Sequence, residues 1–167
     1  MTTFFANPNA QANSFGVRAS PVVLLFGVID VSFDIALGNW VVTPELLYWN
    51  LKLGTTETKL QGFGGALSYH FSGALVDSWY LGAFGKTLGI EVSGSSETGE
   101  LDTTIIGGRA GYLWVWNTFY MNLGATLGSV AESDLVITNT TTSSTRIETI
   151  PTNGLGVGID FKIGFSF

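Results

Sequence analysis

Two features of the chain hold residue types that could do chemistry. The first is His70-Phe71-Ser72, which sets an imidazole two residues from a hydroxyl, the types of a general base and of the nucleophile it activates. A serine used in this way also needs an acid to orient its histidine, and no Asp or Glu has a compelling position for that role. The second feature is a set of charges spaced among apolar residues: Arg18, Lys86, Arg109 and Lys162 with Asp30, Asp34, Glu45 and Asp160. Four bases balance four acids, as charges withdrawn from water must, because an unpaired one is costly in a low-dielectric interior. Composition limits the remaining possibilities. One histidine and no cysteine exclude multi-histidine and thiolate metal sites, and no cofactor is expected. A formal charge of -6, from 13 acids and 7 bases, argues against a nucleic-acid partner, since phosphate binding needs a basic patch.

The elements that position these residues are short segments in which every second side chain is apolar, the period of a β-strand. Eight are expected: Ser14 to Leu25, Val28 to Leu37, Trp40 to Asn50, Leu60 to Phe71, Ser78 to Thr87, Thr104 to Trp114, Phe119 to Gly128, and Leu155 to Phe167. The last is the most regular, with Leu155, Val157, Ile159, Phe161, Ile163, Phe165 and Phe167 on one face. The 22 uncharged residues from Ala110 to Ala131 are long enough for a membrane helix, but their alternation and three glycines read as two strands and a turn. Each of the eight balanced charges falls on the polar face of its segment.

The connections alternate in length. Gly38-Asn39, Ser72 to Asp77 and Val115 to Thr118 are short or moderate; Leu51 to Lys59, Gly89 to Thr103 and Ser129 to Thr152 are longer and polar. Phe26-Gly27 breaks this order. An even strand count with short turns at one rim and long loops at the other describes a barrel of the outer-membrane type, with both termini on the periplasmic side. Composition agrees: charged residues are 12% of the chain against roughly a quarter in ordinary soluble domains, so an ordinary solvated surface is hard to build from it. The polar faces are mostly Gly, Ser, Ala and Thr, which suits the crowded interior of a small barrel. Trp40, Trp79, Trp114, Trp116 and Phe119 at the short-turn ends, with Tyr48 toward the other rim, fit interfacial aromatic girdles.

On these residues the chain resembles the small eight-stranded outer-membrane proteins of Gram-negative bacteria, the OmpA/OmpX-like class. The alternating pattern from Ser14 to Phe167 carries the resemblance, together with the terminal Gly-Phe-Ser-Phe, which is similar to the assembly signal of that class, here Phe165 and Phe167. The fold expected is all-β: an eight-stranded antiparallel up-and-down transmembrane β-barrel with short periplasmic turns and longer extracellular loops over residues 14–167, preceded by a flexible periplasmic tail over residues 1–13. The resemblance implies a mature outer-membrane protein whose signal peptide has been removed, a monomer that meets the barrel-assembly machinery, the lipid bilayer and lipopolysaccharide.

The function expected is non-enzymatic: a barrel with a side-chain-filled lumen that serves envelope integrity or surface interaction through its loops. Those three loops, from Lys52 to Glu148, carry five more acids than bases, and a surface partner or divalent cations could bind there. One alternative is a lipid A-modifying enzyme, because His70-Phe71-Ser72 resembles the His-x-Ser spacing of outer-membrane deacylases; Gly73 departs from the asparagine of that motif. Another is a narrow conduit for ions or small apolar molecules, against which stand bulky Trp49, Tyr80 and Tyr120 on the polar faces.

Overall fold

Alternation becomes pairing in the folded chain. The computed structural model describes residues 14–131, 133–139, 141–150 and 154–167; the expected tail over residues 1–13 lies outside the described residues. The elements are β1 (Phe15–Ala19), α1 (Pro21–Leu24), β2 (Ile29–Leu37), β3 (Trp40–Leu53), β4 (Thr56–His70), β5 (Ser78–Ser93), β6 (Glu97–Trp116), β7 (Phe119–Val130), β8 (Ser133–Asn139), β9 (Ser144–Ile150) and β10 (Leu155–Ser166). Strands β1 to β7 each pair antiparallel with the next, β7 pairs with β10, and β10 returns to β1, so eight strands close into a barrel. The β8–β9 hairpin is a branch: β8 pairs with the start of β6, from Glu97↔Asn139 to Leu101↔Leu135.

Both ends of the barrel chain lie at one rim, called here the near rim. Phe15 and Phe167 exchange two backbone hydrogen bonds there, at 3.2 and 2.9 Å. Its turns are Gly38-Asn39, Asn117-Thr118 and the longer 71–77 segment. Gly38 (φ 65°) and Asn117 (φ 60°) adopt the left-handed conformation that tight turns require and that Gly and Asn tolerate best. The uncharged stretch from Ala110 to Ala131 is thus the end of β6, a two-residue turn and β7.

Two expectations about the far rim need correction. The polar segments expected as long loops are mostly strand: β3 and β4 run on to Leu53 and Thr56, and β5 and β6 to Ser93 and Glu97, while the third segment contains the β8–β9 hairpin. The period of two persists with its polarity reversed, which is why these segments resemble loops. Lys52 pairs across from Glu57, and Lys59 from Glu91, on the outer face, while Leu60, Leu88 and Ile90 turn inward. The first strand, expected to reach Leu25, stops at Ala19. Pro21 has no N–H to donate to a ladder and its fixed φ suits the first turn of a helix, so the chain leaves the sheet as α1.

The inward faces fill the barrel. Leu75, Leu113 and Tyr120 form a buried apolar cluster at the near rim, to which the 71–77 turn contributes Leu75 with a left-handed backbone (φ 53°). Large side chains lie across the lumen because small ones face them. A Cβ on Gly111 would fall 2.6 Å from Tyr80 Oη and 2.5 Å from the Leu123 carbonyl oxygen. Replacing Gly111 by Ala is therefore expected to cost about 1–3 kcal/mol through overpacking, read as a lower urea midpoint for the folded barrel.

Candidate functional site

The lumen is the densest polar site, and it is assembled from residues far apart in the chain. Arg18 on β1 pairs with Asp34 on β2 at 3.1 Å, and its guanidinium also donates to Asn122 Oδ1 (3.0 Å) and Thr43 Oγ1 (3.3 Å). Asp34 accepts further bonds from Thr43 (2.7 Å) and from the Tyr120 hydroxyl (2.6 Å). Asn122 donates to Asp160 Oδ2 at 3.1 Å and to Tyr80 Oη at 3.4 Å. Through Asn122 this first cluster gathers one cation and two carboxylates.

A second cluster surrounds Glu45. Its carboxylate is shared by Lys162 (3.4 Å), Arg109 (3.5 Å) and Lys86 (4.0 Å). Lys162 also reaches Asp30 at 2.9 Å and Ser32 Oγ at 2.6 Å, while Arg109 donates to Ser68 Oγ at 2.9 Å and lies over the Tyr80 ring. Three cations meet two carboxylates, so the excess in each cluster offsets the other. Arg18, Asp34, Arg109 and Lys162 are buried, and burial with one partner removed is the costly case for such groups. Bonding through several neighbours, with carboxylates accepting from hydroxyls as well as cations, is what makes their desolvation tolerable.

All eight charges singled out from the sequence face this lumen. Of the neutral members, Tyr80 and Tyr120 were expected as lumen-filling bulk, while Ser32, Thr43, Ser68 and Asn122 were not singled out. Each lies on an inward face, so a search of those positions for hydroxyls and amides would have found them. Pairing itself was not legible, since Lys162 and Asp30 are 132 positions apart.

His70 and Ser72 part company. His70 is buried in the lumen, its ring stacked on Tyr80 at a centroid distance of 5.3 Å, and its Nδ1 has no hydrogen-bond partner among the described residues. Ser72 is exposed in the following turn, where its backbone N–H donates to Ser78 Oγ at 2.9 Å. No hydrogen bond joins the two side chains, so this arrangement lacks the contact by which a histidine would activate a serine.

The outer face is apolar around the whole circumference. Phe33, Leu46, Phe63, Leu81, Ile106 and Ile159 are all exposed. Aromatic rings gather near the near rim: Trp40 against Tyr69 (5.2 Å), Trp79 against Tyr112 (5.2 Å), Tyr112 against Trp114 (4.8 Å), and Trp116, Phe119 and Phe165 in succession (5.8 and 5.7 Å). Tyr69 and Tyr112 lie among these rings, and Tyr48 stands apart toward the far rim, opposite Gln61. Comparisons with protein-family models, with curated proteins and with solved structures find no match to this chain.

The bonds around Asp34 lead to a paired prediction. Asp34→Ala leaves Arg18 buried without its carboxylate and is expected to cost about 3–5 kcal/mol. His70→Phe keeps an aromatic ring on Tyr80 and removes an unpaired nitrogen, so it should change stability by less than about 1 kcal/mol. Urea unfolding of the two variants beside the parent, followed by tryptophan fluorescence, measures both.

Proposed function

We propose that the chain is a non-enzymatic outer-membrane barrel, sealed by its own side chains, that contributes to envelope integrity and presents its far-rim strands as a surface. The observation that carries this reading is the circumferential apolar outer face combined with a charged, hydrogen-bonded lumen. A water-soluble barrel needs the opposite arrangement, because large apolar areas facing water are unfavourable. In lipid, a closed barrel pairs its backbone groups strand to strand and presents apolar side chains outward.

Dimensions support the same reading. The outward apolar run from Leu155 to Phe167 covers twelve residue steps. At about 3.3 Å per step and a tilt of ~40°, that run rises roughly 30 Å along the axis, comparable to a bilayer's hydrocarbon core. The outer face changes character above Tyr48, Phe63 and Ile106, where Asn50, Gln61, Thr87, Thr104 and Asp102 take over, as expected where strands emerge from lipid. The emergent part is acidic, with Glu57, Glu91, Glu100 and Asp102 facing outward near Lys59, a surface suited to cation-bridged lipopolysaccharide or to a basic partner.

Two measurements test the proposal. Unboiled protein in detergent is expected to migrate faster on a denaturing gel than boiled protein, and planar bilayers containing it should remain free of stepwise currents. A monomer soluble without detergent would overturn the membrane assignment; stable single-channel steps would overturn the sealed lumen.

A further inference from the structure

The lumen changes character along its length. On β3 the inward positions run Val41, Thr43, Glu45 and Leu47, and on β5 they run Ser78, Tyr80, Gly82, Phe84, Lys86, Leu88 and Ile90. An apolar plug at the near rim is thus followed by the charged clusters, and these by a second apolar zone. This upper zone differs from the plug in one respect. Leu113 and Tyr120 are fully buried, whereas Leu47, Leu60, Leu88, Ile90, Leu101 and Ile105 are only half-buried, although all face inward. They line a mouth whose apolar wall is incompletely covered.

Its floor holds an accessible cation. Lys86 is the exception among the lumen bases: about a third of its side chain is exposed (33%), against 4–5% for Arg18, Arg109 and Lys162. Its contact with Glu45 is the longest of three to that carboxylate, at 4.0 Å, in the cluster that holds one cation more than it has acids. An ammonium beneath an apolar wall matches the anionic head and apolar chain of an amphiphile.

The wall also has a break. β1 pairs with β10 only from Gly16↔Ser166 to Ala19↔Ile163. Beyond that point, no described strand lies beside β10 from Leu155 to Lys162 on the side away from β7, and α1 stands between it and β2. Val22, Leu24, Leu25 and Phe26 around α1 are exposed, and the Trp49 indole N–H donates to the Phe26 carbonyl at 3.1 Å, holding this segment beside the mouth. α1 fills this break, touching both β10 and β2, and Lys162 bonds across it to Asp30 and Ser32.

We propose that the mouth binds a single-chain carboxylate amphiphile taken from the surrounding lipid, with its head at Lys86 and its chain against Leu47, Leu60, Leu88 and Ile90. The proposal rests on the membrane assignment for the source of its ligand. The test uses the full chain in nanodiscs of neutral phospholipid, with the gel shift on heating checked first, so that failure to integrate is seen separately from failure to bind. The probe is a dansyl-labelled undecanoic acid, compared with its methyl ester and with protein-free nanodiscs.

Saturable, blue-shifted fluorescence above the protein-free signal is expected for the acid. Lys86→Gln should weaken the acid roughly tenfold, the scale of one lost charge-assisted contact, and leave the ester unaffected. Leu88→Asp should abolish binding of both. A signal equal to that of protein-free nanodiscs overturns the site, and equal affinity of parent and Lys86→Gln for the acid, or of acid and ester for the parent, overturns the role of Lys86. If Leu88→Asp loses its gel shift, Lys86→Gln alone decides.

Discussion

Closure at the shortest strand is the constraint on which the other features depend. β1 has five residues, and it supplies four register pairs to β10 and five to β2. Without that join the sheet has two free edges, and the lumen becomes one face of an open sheet. Side chains extend the join where the backbone stops. Immediately above Ala19, Lys162 on β10 reaches across to Asp30 and Ser32 on β2, and at the near rim the Phe15–Phe167 backbone bonds close the other end. Arg18, carried by β1 itself, ties β2, β3 and β7 together through Asp34, Thr43 and Asn122.

Closure also explains why the interior is polar. Eight strands enclose a space that side chains can fill, and here it is filled by ion pairs and hydroxyls rather than by a hydrocarbon core. If the outer face lies in lipid, burying apolar side chains inside gains little over leaving them outside, so hydrogen bonding and charge pairing must supply the specificity of packing. Glu45 shows the logic: one carboxylate sits among three cations from three other strands, which favours a single arrangement of those strands. Above this level both faces invert, apolar inward and polar outward, as they would where the strands leave lipid for water.

Much of this was legible in the residues, because inward and outward positions follow from a period of two that needs no knowledge of partners. The faces of Asp30, Asp34, Arg109 and Lys162, the turn at Asn117, and the reading of Ala110 to Ala131 as two strands all follow from it. The polarity inversion hides the same rule beyond Leu60 and Thr87: Leu88 and Ile90 keep the alternation, but their polar neighbours Lys59 and Glu91 resemble loop residues. The early end of β1 at Pro21 had a local cause, the missing N–H, that alternation alone concealed.

The sequence by itself therefore determined strand periodicity, the sidedness of each strand and a balanced set of inward charges, since these depend on neighbours two positions apart. Only the tertiary structure decided which acid meets which base, that Ser72 stays outside in the turn without meeting His70, and that the β1–β10 ladder ends at Ala19 with α1 beyond it. Those outcomes depend on register and closure, which bring together side chains as distant as Asp30 and Lys162, and no local pattern encodes a distance of that kind.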